Sequence, residues 1–561
     1  MPNSSSSNDK LFFYFSLALL SALSLALFWP ALGHDFLINW DDRQYILEND
    51  AIRGLTAEHL KAAFTTFSLG NYAPLHLVSY MIDYEIWGMR PFGFILTNIV
   101  LHTLNGLLLY AFLRRLAGER IWIFFASLIF LLHPVQVETV VWAAERKTVL
   151  AMSFFLASLS CYREYREGSG GSTRGWYLLS LISFLAALLT KSVVVVMPLV
   201  ILLFDLCYGG GRCLKKSIVA VVPFMALAAW TVFIALISHS ETHGGITTYH
   251  GGSPFATFLT MIPVLLSYLR LVFWPTDLSA FYDVPIKSGI DAAVALAAGA
   301  CAMLIWLGWW LYRQKREHFF WYALFFVGLI PVSQIVPIVT LMNDRYLYFP
   351  MLGAAAYLSG TVLPSVTWKE WVGSGRSMLR VLLMAGLIVA CAVVSSLRIG
   401  VWQDSFTLWG DAVKKAPAVA LTHDGFGEGL LQRGLVDEAI NQFRTALRLY
   451  PPAIKLREGS GPRNDVANTH NNLGAAYGTK GLTDSAIEQF RMAIKLNPQL
   501  AKAWFNLGNA QANTGRMNEA LLSFETAVRL DPRNKAYQAN LKLTRDINSF
   551  SEITKQPDQG N

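Results

Sequence analysis

Adjacent carboxylates, Asp41 and Asp42, stand in the run His34-Asp-Phe-Leu-Ile-Asn-Trp-Asp-Asp-Arg-Gln-Tyr45, just after the first apolar block of the chain. Two like charges side by side raise one another's pKa, and the neighbouring Arg43 opposes that rise. One carboxylate of such a pair can take a proton as a general base while the other orients it. Trp40 and Tyr45 flank the pair with aromatic surface suited to a substrate. An isolated acidic pair in a loop is more often solvated surface, so its meaning depends on what else the fold brings near.

Further polar groups recur beside the ends of later apolar blocks: His133 and Glu138 in His-Pro-Val-Gln-Val-Glu, then Arg146 and Lys147, then Lys191, and finally Arg345 in Asn343-Asp-Arg-Tyr-Leu-Tyr348. Ionisable groups at a membrane boundary are costly unless they are paired or functional. Each one alone can be a span anchor or half of a structural ion pair. Together, a carboxylate pair and several cations at one membrane face suit a lipid-linked phosphate donor. Arg146, Lys147, Lys191 and Arg345 would hold the phosphate leaving group, a carboxylate would take the acceptor's hydroxyl proton, and His133 and Glu138 would line the substrate pocket. Gly209-Gly-Gly-Arg212 reads as a flexible turn rather than a phosphate-binding loop. His243 and His250 are too loosely spaced for an expected metal site, and their glycine-rich loop 239–253 reads as a mobile flap.

The elements that position these residues are membrane spans. Of the 561 residues 54% are hydrophobic and only 15% charged, with a mean hydropathy of +0.39. The apolar residues come in blocks of roughly twenty, the length that crosses a ~30 Å hydrocarbon core. Segment 11–33 is uncharged, too long for a signal-peptide core, and is expected to remain as the first span. Further spans are expected at about 92–113, 121–141, 148–162, 176–190, 192–208, 217–238, 290–312, 319–340, 346–364 and 380–400. Five loops hold three Lys or Arg each, namely Arg114/Arg115/Arg120, Arg163/Arg166/Arg174, Arg212/Lys215/Lys216, Arg313/Lys315/Arg316 and Lys369/Arg376/Arg380. The positive-inside rule places them in the cytoplasm. Segment 34–91, with eight acids against four bases, then becomes the first external loop. Parity holds over about eleven spans if 255–274 is re-entrant or lies in the interface, and everything after about residue 402 falls outside. The net charge of +8 is scattered between apolar blocks rather than gathered on one face, which argues against a nucleic-acid partner. Cys161, Cys207, Cys213, Cys301 and Cys391 have neither disulfide-framework nor metal-ligand spacing.

Beyond Trp402 the pattern changes to amphipathic helices with a 34-residue period. His470, Leu473, Gly474, Tyr477, Gly481, Ala486, Phe490, Ala493 and Pro498 recur as Trp504, Leu507, Gly508, Gln511, Gly515, Ala520, Phe524, Ala527 and Pro532. An earlier unit runs from Phe426 to Pro451, followed by an insertion near 454–466, and a capping helix is expected at 535–548. These positions resemble the tetratricopeptide repeat, which implies a short α-solenoid whose concave face binds proteins or peptides.

As a whole, NWDDRQYI, HPVQVETVVWAAERKTVLA, LLTKSVVVVMPLVILLFDL and NDRYLYFP followed by these repeats resemble the transmembrane and tetratricopeptide-repeat-containing (TMTC) protein O-mannosyltransferases, in particular bacterial relatives. The resemblance implies an all-α chain: a GT-C glycosyltransferase membrane domain over 1–401, then an extracytoplasmic repeat domain over 402–561. It implies inverting transfer of a sugar, mannose, from a polyprenyl-phosphate-linked donor to Ser or Thr of exported proteins docked on the repeats, with no cofactor required. Residue by residue, it makes Asp41 the base, Asp42 the second acid of the motif, and Arg146, Lys191 and Arg345 matches to family cations. Ser192 follows Lys191 where many relatives carry an acid, so a local ion pair is missing there. The compartment expected is a bacterial inner membrane, with the first loop and the repeats in the periplasm, since the exported regions hold no Asn-x-Ser/Thr sequon and no cysteine. Two rivals are an O-antigen-ligase-like transferase, which would carry its large external loop late among the spans, and a non-catalytic membrane scaffold, which would not need Asp41 and Asp42.

Overall fold

The computed structural model describes residues 7–67, 70–168, 173–209, 214–241, 249–363, 375–450 and 461–553. Among these residues every regular element is helical. The chain divides into two units, Met1–Asp404 and Ser405–Asn561.

The first unit is a multi-pass membrane protein. Among the described residues, six helices are long and apolar enough to cross a membrane: Lys10–Gly33, Pro91–Ala117, Lys215–Ser238, Pro254–Phe273, Ala292–Gln314 and Arg376–Val401. Helix 292–314 exposes Leu296, Met303, Ile305 and Trp306, as expected where lipid rather than water is the solvent. Segment 254–273, expected to be re-entrant or interfacial, is one unbroken helix and not a hairpin. It buries Ala256, Thr260, Val264, Tyr268 and Val272 on one face. Near its ends, the His250 ring meets the Ile338 carbonyl at 2.9 Å, and the Tyr268 hydroxyl lies 3.5 Å from that of Leu341. At another end of the bundle the basic turns converge: Arg115 pairs with Glu164 at 2.7 Å, Arg163 donates to the Arg115 carbonyl, and Arg166 reaches Ser217.

The expected span 121–141 is broken. Pro134 has no N–H and pushes the residue before it out of helical geometry, so His133 is extended and the helices on either side bend by 46°. Short turns then run through Val137–Val141 and Ala143–Glu145 before helix Arg146–Glu167 begins. A second break separates Thr173–Leu188 from Ser192–Val196, and a third runs between Val332 and Pro350. Exposed backbone is costly in an apolar surround, and helix 91–117 meets that need. Asn98, His102 and Asn105 share one of its faces. They reach the Trp142 carbonyl at 2.9 Å, the Leu131 carbonyl at 3.0 Å and the Val149 carbonyl at 2.8 Å. The Tyr348 hydroxyl lies between the last two side chains.

Segment 34–91 is structured and carries helices Ala57–Thr65, capped by the Thr56 hydroxyl, and Pro74–Trp87. In the second unit, helix pairs 420–432/436–449, 461–479/483–496 and 501–513/517–530 repeat, with Ser405–Lys415 before them and Lys535–Ile553 after. A Cβ at Gly474 or Gly508 would come within 2.6 or 2.8 Å of Phe490 or Phe524, which is why glycine recurs there. Phe443, Leu473, Tyr477, Phe490 and Leu507 form one continuous core. Of the expected insertion near 454–466, residues 454–460 lie outside the described residues, as do 210–212 of the turn and His243, whereas 461–466 belong to helix Gly461–Thr479.

The ladder on helix 91–117 yields a stability prediction. Asn98→Leu leaves the Trp142 carbonyl without its amide donor and removes an acceptor from Arg146, and should cost about 1–3 kcal/mol. A clearly lower melting temperature of the detergent-solubilised protein is the expected outcome. An unchanged one would show that the ladder does not hold the broken segment.

Candidate active site

The first loop and the breaks bring together residues far apart in sequence. Asp42 is 1% exposed; its Oδ2 accepts the Leu37 N–H at 2.9 Å and its Oδ1 the Ala144 N–H at 2.8 Å. It therefore pins the first loop to the 142–145 corner. Burial pushes its carboxyl up to about 7, the charge of Asp41 adds to that rise, and the two backbone donors oppose it. Asp41 is half-buried and within electrostatic reach of Tyr45 and Lys147. Tyr45 is buried, accepts a hydrogen bond from Asn71 at 3.2 Å, and carries the Lys147 ammonium 4.7 Å from its ring centroid. Trp40 packs on Trp142 and Trp402, with ring centroids 4.7 and 6.1 Å away.

Beside this loop three cations converge on Glu145. Lys191 Nζ lies 3.0 Å from its carboxylate, Arg345 Nε 3.6 Å and Lys147 Nζ 3.8 Å. Thr148 donates its hydroxyl to Glu145 and accepts from Lys191. Burial alone would raise Glu145, yet Lys191, Lys147 and Arg345 together hold its carboxyl well below the usual carboxylate range. Burial lowers the Lys191 ammonium to about 8, Lys147 and Arg345 push the same way, and Glu145 opposes them. The three cations keep part of their surface open, with side-chain exposures of 21% for Lys191, 14% for Lys147 and 13% for Arg345. Glu138 is buried and grips Arg345 through both the guanidinium and the Arg345 backbone N–H.

Arg146, expected among the phosphate ligands, faces the other way. Successive helical residues point about 100° apart, and here Lys147 faces the loop while Arg146 faces the core. The Arg146 guanidinium is fully buried, 2.6 Å from Asp83, with Asn98 and the Phe94 carbonyl as further acceptors. A group enclosed in this way positions the corner rather than meeting a ligand. His133 and Glu138, expected to line the substrate, are buried as well. The His133 Nε2 meets the Val272 carbonyl at 2.9 Å and its Nδ1 caps the Val135 N–H, so it serves the helix break. The acid missing beside Lys191 is supplied by Glu145, 46 residues earlier.

Sequence reading missed Glu145, Thr148, Asp83 and His76. His76 is fully buried between Tyr45 and Tyr80, with ring centroids 5.3 and 4.4 Å away. Among the described residues its ring nitrogens have no hydrogen-bond partner, and burial together with Lys147 and Arg146 keeps it neutral. Asp83 gave one usable signal, an acid that together with Glu85 interrupts the apolar helix 74–87; His76 gave none. Among the described residues, no three metal-ligating side chains cluster.

Comparison with known proteins agrees with both units. A tetratricopeptide repeat model matches residues 501–534, and a TPR repeat model matches 479–515. The human protein O-mannosyl-transferase TMTC2 is 34% identical over 170 residues, covering 28% of this chain and 20% of that protein. Human TMTC1 is 25% identical over 431 residues, covering 68% and 48%. A Caenorhabditis elegans protein O-mannosyl-transferase is 23% identical over 460 residues, covering 78% and 63%. The chain thus spans from a fifth to less than two thirds of these relatives. Their names and the repeats support a TMTC-type family.

The two acids should separate by experiment. In Asp42→Asn an amide NH₂ must face one of the two backbone donors, so stability should fall by about 1–3 kcal/mol. Asp41→Asn, at a half-exposed position, should stay within about 0.5 kcal/mol of the parent. Thermal denaturation of the two purified variants checks this, and equal losses would contradict the assigned division.

Proposed function

We propose that this chain is a membrane glycosyltransferase of GT-C type that transfers mannose from a polyprenyl-phosphate donor to Ser or Thr hydroxyls of exported proteins, with inversion. The observation that carries this reading is the convergence of partly exposed Lys147, Lys191 and Arg345 next to the half-exposed carboxylate of Asp41. A buried scaffold would gain little from such a cluster, because desolvating charges costs several kcal/mol each.

In this mechanism Asp41 takes the proton of the acceptor hydroxyl while its oxygen attacks the anomeric carbon from the face opposite the phosphate. The bond from that carbon to the phosphate oxygen breaks, and polyprenyl phosphate leaves with the bonding electrons. A phosphate monoester is stable as an anion, so it needs no proton from an acid. Lys147, Lys191 and Arg345 stabilise the charge that builds on it. Arg345 offers a planar fork and the two lysines compact point charges. Three side-chain cations at the leaving group mean that the proposed chemistry requires no metal or other cofactor. Trp40 and Tyr45 supply aromatic surface beside the sugar, and the repeats supply a surface for the acceptor protein.

The same reading places the first loop and the repeats on one side of the membrane, in the periplasm of a bacterial inner membrane, opposite the converging basic turns. Single cysteines at the exposed positions Glu58 and Lys542, in a background without the five native cysteines, should both react with an impermeant thiol reagent from that side. Labelling of only one position would break the arrangement.

Activity provides the direct test. Asp41→Asn should lose on the order of 10²–10⁴ in turnover, as is usual for a lost general base. Lys191 carries its charge below about 8 in the free protein, so kcat/KM for the donor should fall as pH rises through that value. Lys191→Arg should remove the alkaline fall. Near-normal turnover by Asp41→Asn, or an alkaline limb that survives Lys191→Arg, would sink the respective assignment.

A further inference from the structure

Glu145 has no place in the mechanism above, yet it lies at the centre of the cations that mechanism uses. Its side chain is 2% exposed and sits within 3.0–3.8 Å of Lys191, Arg345 and Lys147. Thr148 bridges it to Lys191, which fixes the direction of the ammonium. A phosphate asks for the same surroundings, several cationic donors converging on an anionic oxygen. The cations keep part of their surface open while Glu145 itself is almost fully enclosed. Lys147, Lys191 and Arg345 against Glu138 and Glu145 leave a single net positive charge.

We propose that Glu145 is a built-in stand-in for the donor phosphate: it holds the three cations converged in the empty site and shares them with the phosphate when a ligand is present. The proposal rests on reading those cations as the phosphate site. Its consequence is selectivity by charge. The donor is a phosphodiester with one negative charge, whereas the polyprenyl phosphate left after transfer is a monoester with up to two. A fixed carboxylate beneath the site repels the second about twice as strongly as the first, since Coulomb energy scales with the product of the charges. Glu145 thereby weakens product binding more than donor binding and speeds release. Glu138 grips Arg345 from the other side and carries no contact to either lysine among the described hydrogen bonds and ion pairs, so the shared position is that of Glu145.

The test compares donor KM with inhibition by farnesyl phosphate, a short monoester probe, on the full-length protein in detergent. Glu145→Gln should lower the inhibition constant of the probe by about tenfold or more, lower the donor KM by less, and reduce kcat as release slows. Glu145→Asp, which keeps the charge, should keep the parent ratio of the two constants. A role in folding alone would lower the melting temperature of Glu145→Gln and leave that ratio unchanged, which would overturn the proposal. Should Glu145→Gln fail to fold, the same substitution is made in a Lys191→Gln background, where one positive charge has already been removed. A ratio unmoved by adding it there would likewise overturn the proposal. Lys191→Gln and Arg345→Gln separate the two levels of the argument. If neither weakens the probe or the donor, the phosphate-site reading itself fails and takes this one with it. If both weaken them while Glu145→Gln leaves the ratio unchanged, only the stand-in role is lost.

Discussion

A backbone that leaves helical geometry inside a membrane domain has to find new partners for its carbonyls, and that constraint organises the first unit. The break opened by Pro134 frees carbonyls around Leu131 and Trp142, and His102 and Asn98 answer them from a helical face that also carries Asn105, which reaches the Val149 carbonyl inside the next helix. Once that cost is met, the chain can step sideways between Leu132 and Arg146 instead of crossing as one rod. Glu138, Glu145 and Lys147 are then drawn into one network, Glu138 and Glu145 sharing Arg345 and Lys147 reaching Glu145. The break is thus the structural condition for a polar site among apolar helices.

Three of the buried acids around the site are each matched by a cation. Glu138 is tied to Arg345, Glu145 to Lys191, Arg345 and Lys147, and Asp83 to Arg146. Removing one partner of a buried pair costs more than the pair contributes, because the survivor stays desolvated. Arg146 and Asp83 are sealed from solvent, and their pairing ties helix 74–87 to the start of helix 146–167. Lys147, Lys191 and Arg345 keep partial exposure, and on the proposed mechanism that open surface is what an incoming anion would meet.

Much of this was legible in the sequence, for physical reasons that differ by element. The spans announce themselves by length and hydropathy, and the repeats by a period at which glycine must face phenylalanine. Asp41, Asp42, Lys147, Lys191 and Arg345 stand out because ionisable groups are rare beside apolar blocks. Two things stayed hidden. Neighbours in sequence do not reveal which one points inward, and Arg146 and Lys147 were therefore grouped although a helical turn sends them to opposite environments. Pairings across long separations leave no local mark either: Glu145 reaches Lys191 46 residues on, and Glu138 reaches Arg345 207 residues on. The bend at His133-Pro134 is marked by the proline, yet the expected span 121–141 runs straight through it. That His133 spends both ring nitrogens on backbone groups was not legible, since one of its partners is the Val272 carbonyl.

The adjacent acids illustrate how one short segment can serve chemistry and structure together. Asp42 gives both carboxylate oxygens to backbone donors, one in its own loop and one at Ala144. Ala144 directly precedes Glu145, the residue that gathers the cations. Asp42 thereby ties the loop bearing Asp41 to the corner bearing the phosphate-site candidates, and its two hydrogen bonds, beside the Trp40–Trp142, Tyr45–Lys147 and Asp83–Arg146 contacts, help to define their separation. For a transfer in which attack and departure occur on opposite faces of one carbon, the distance from base to leaving group is the quantity that has to be held constant. A misplacement of about 1 Å in such a geometry can cost two orders of magnitude in rate. On the proposed mechanism, Asp42 matters to transfer without touching a reacting atom, because it sets the position from which Asp41 acts.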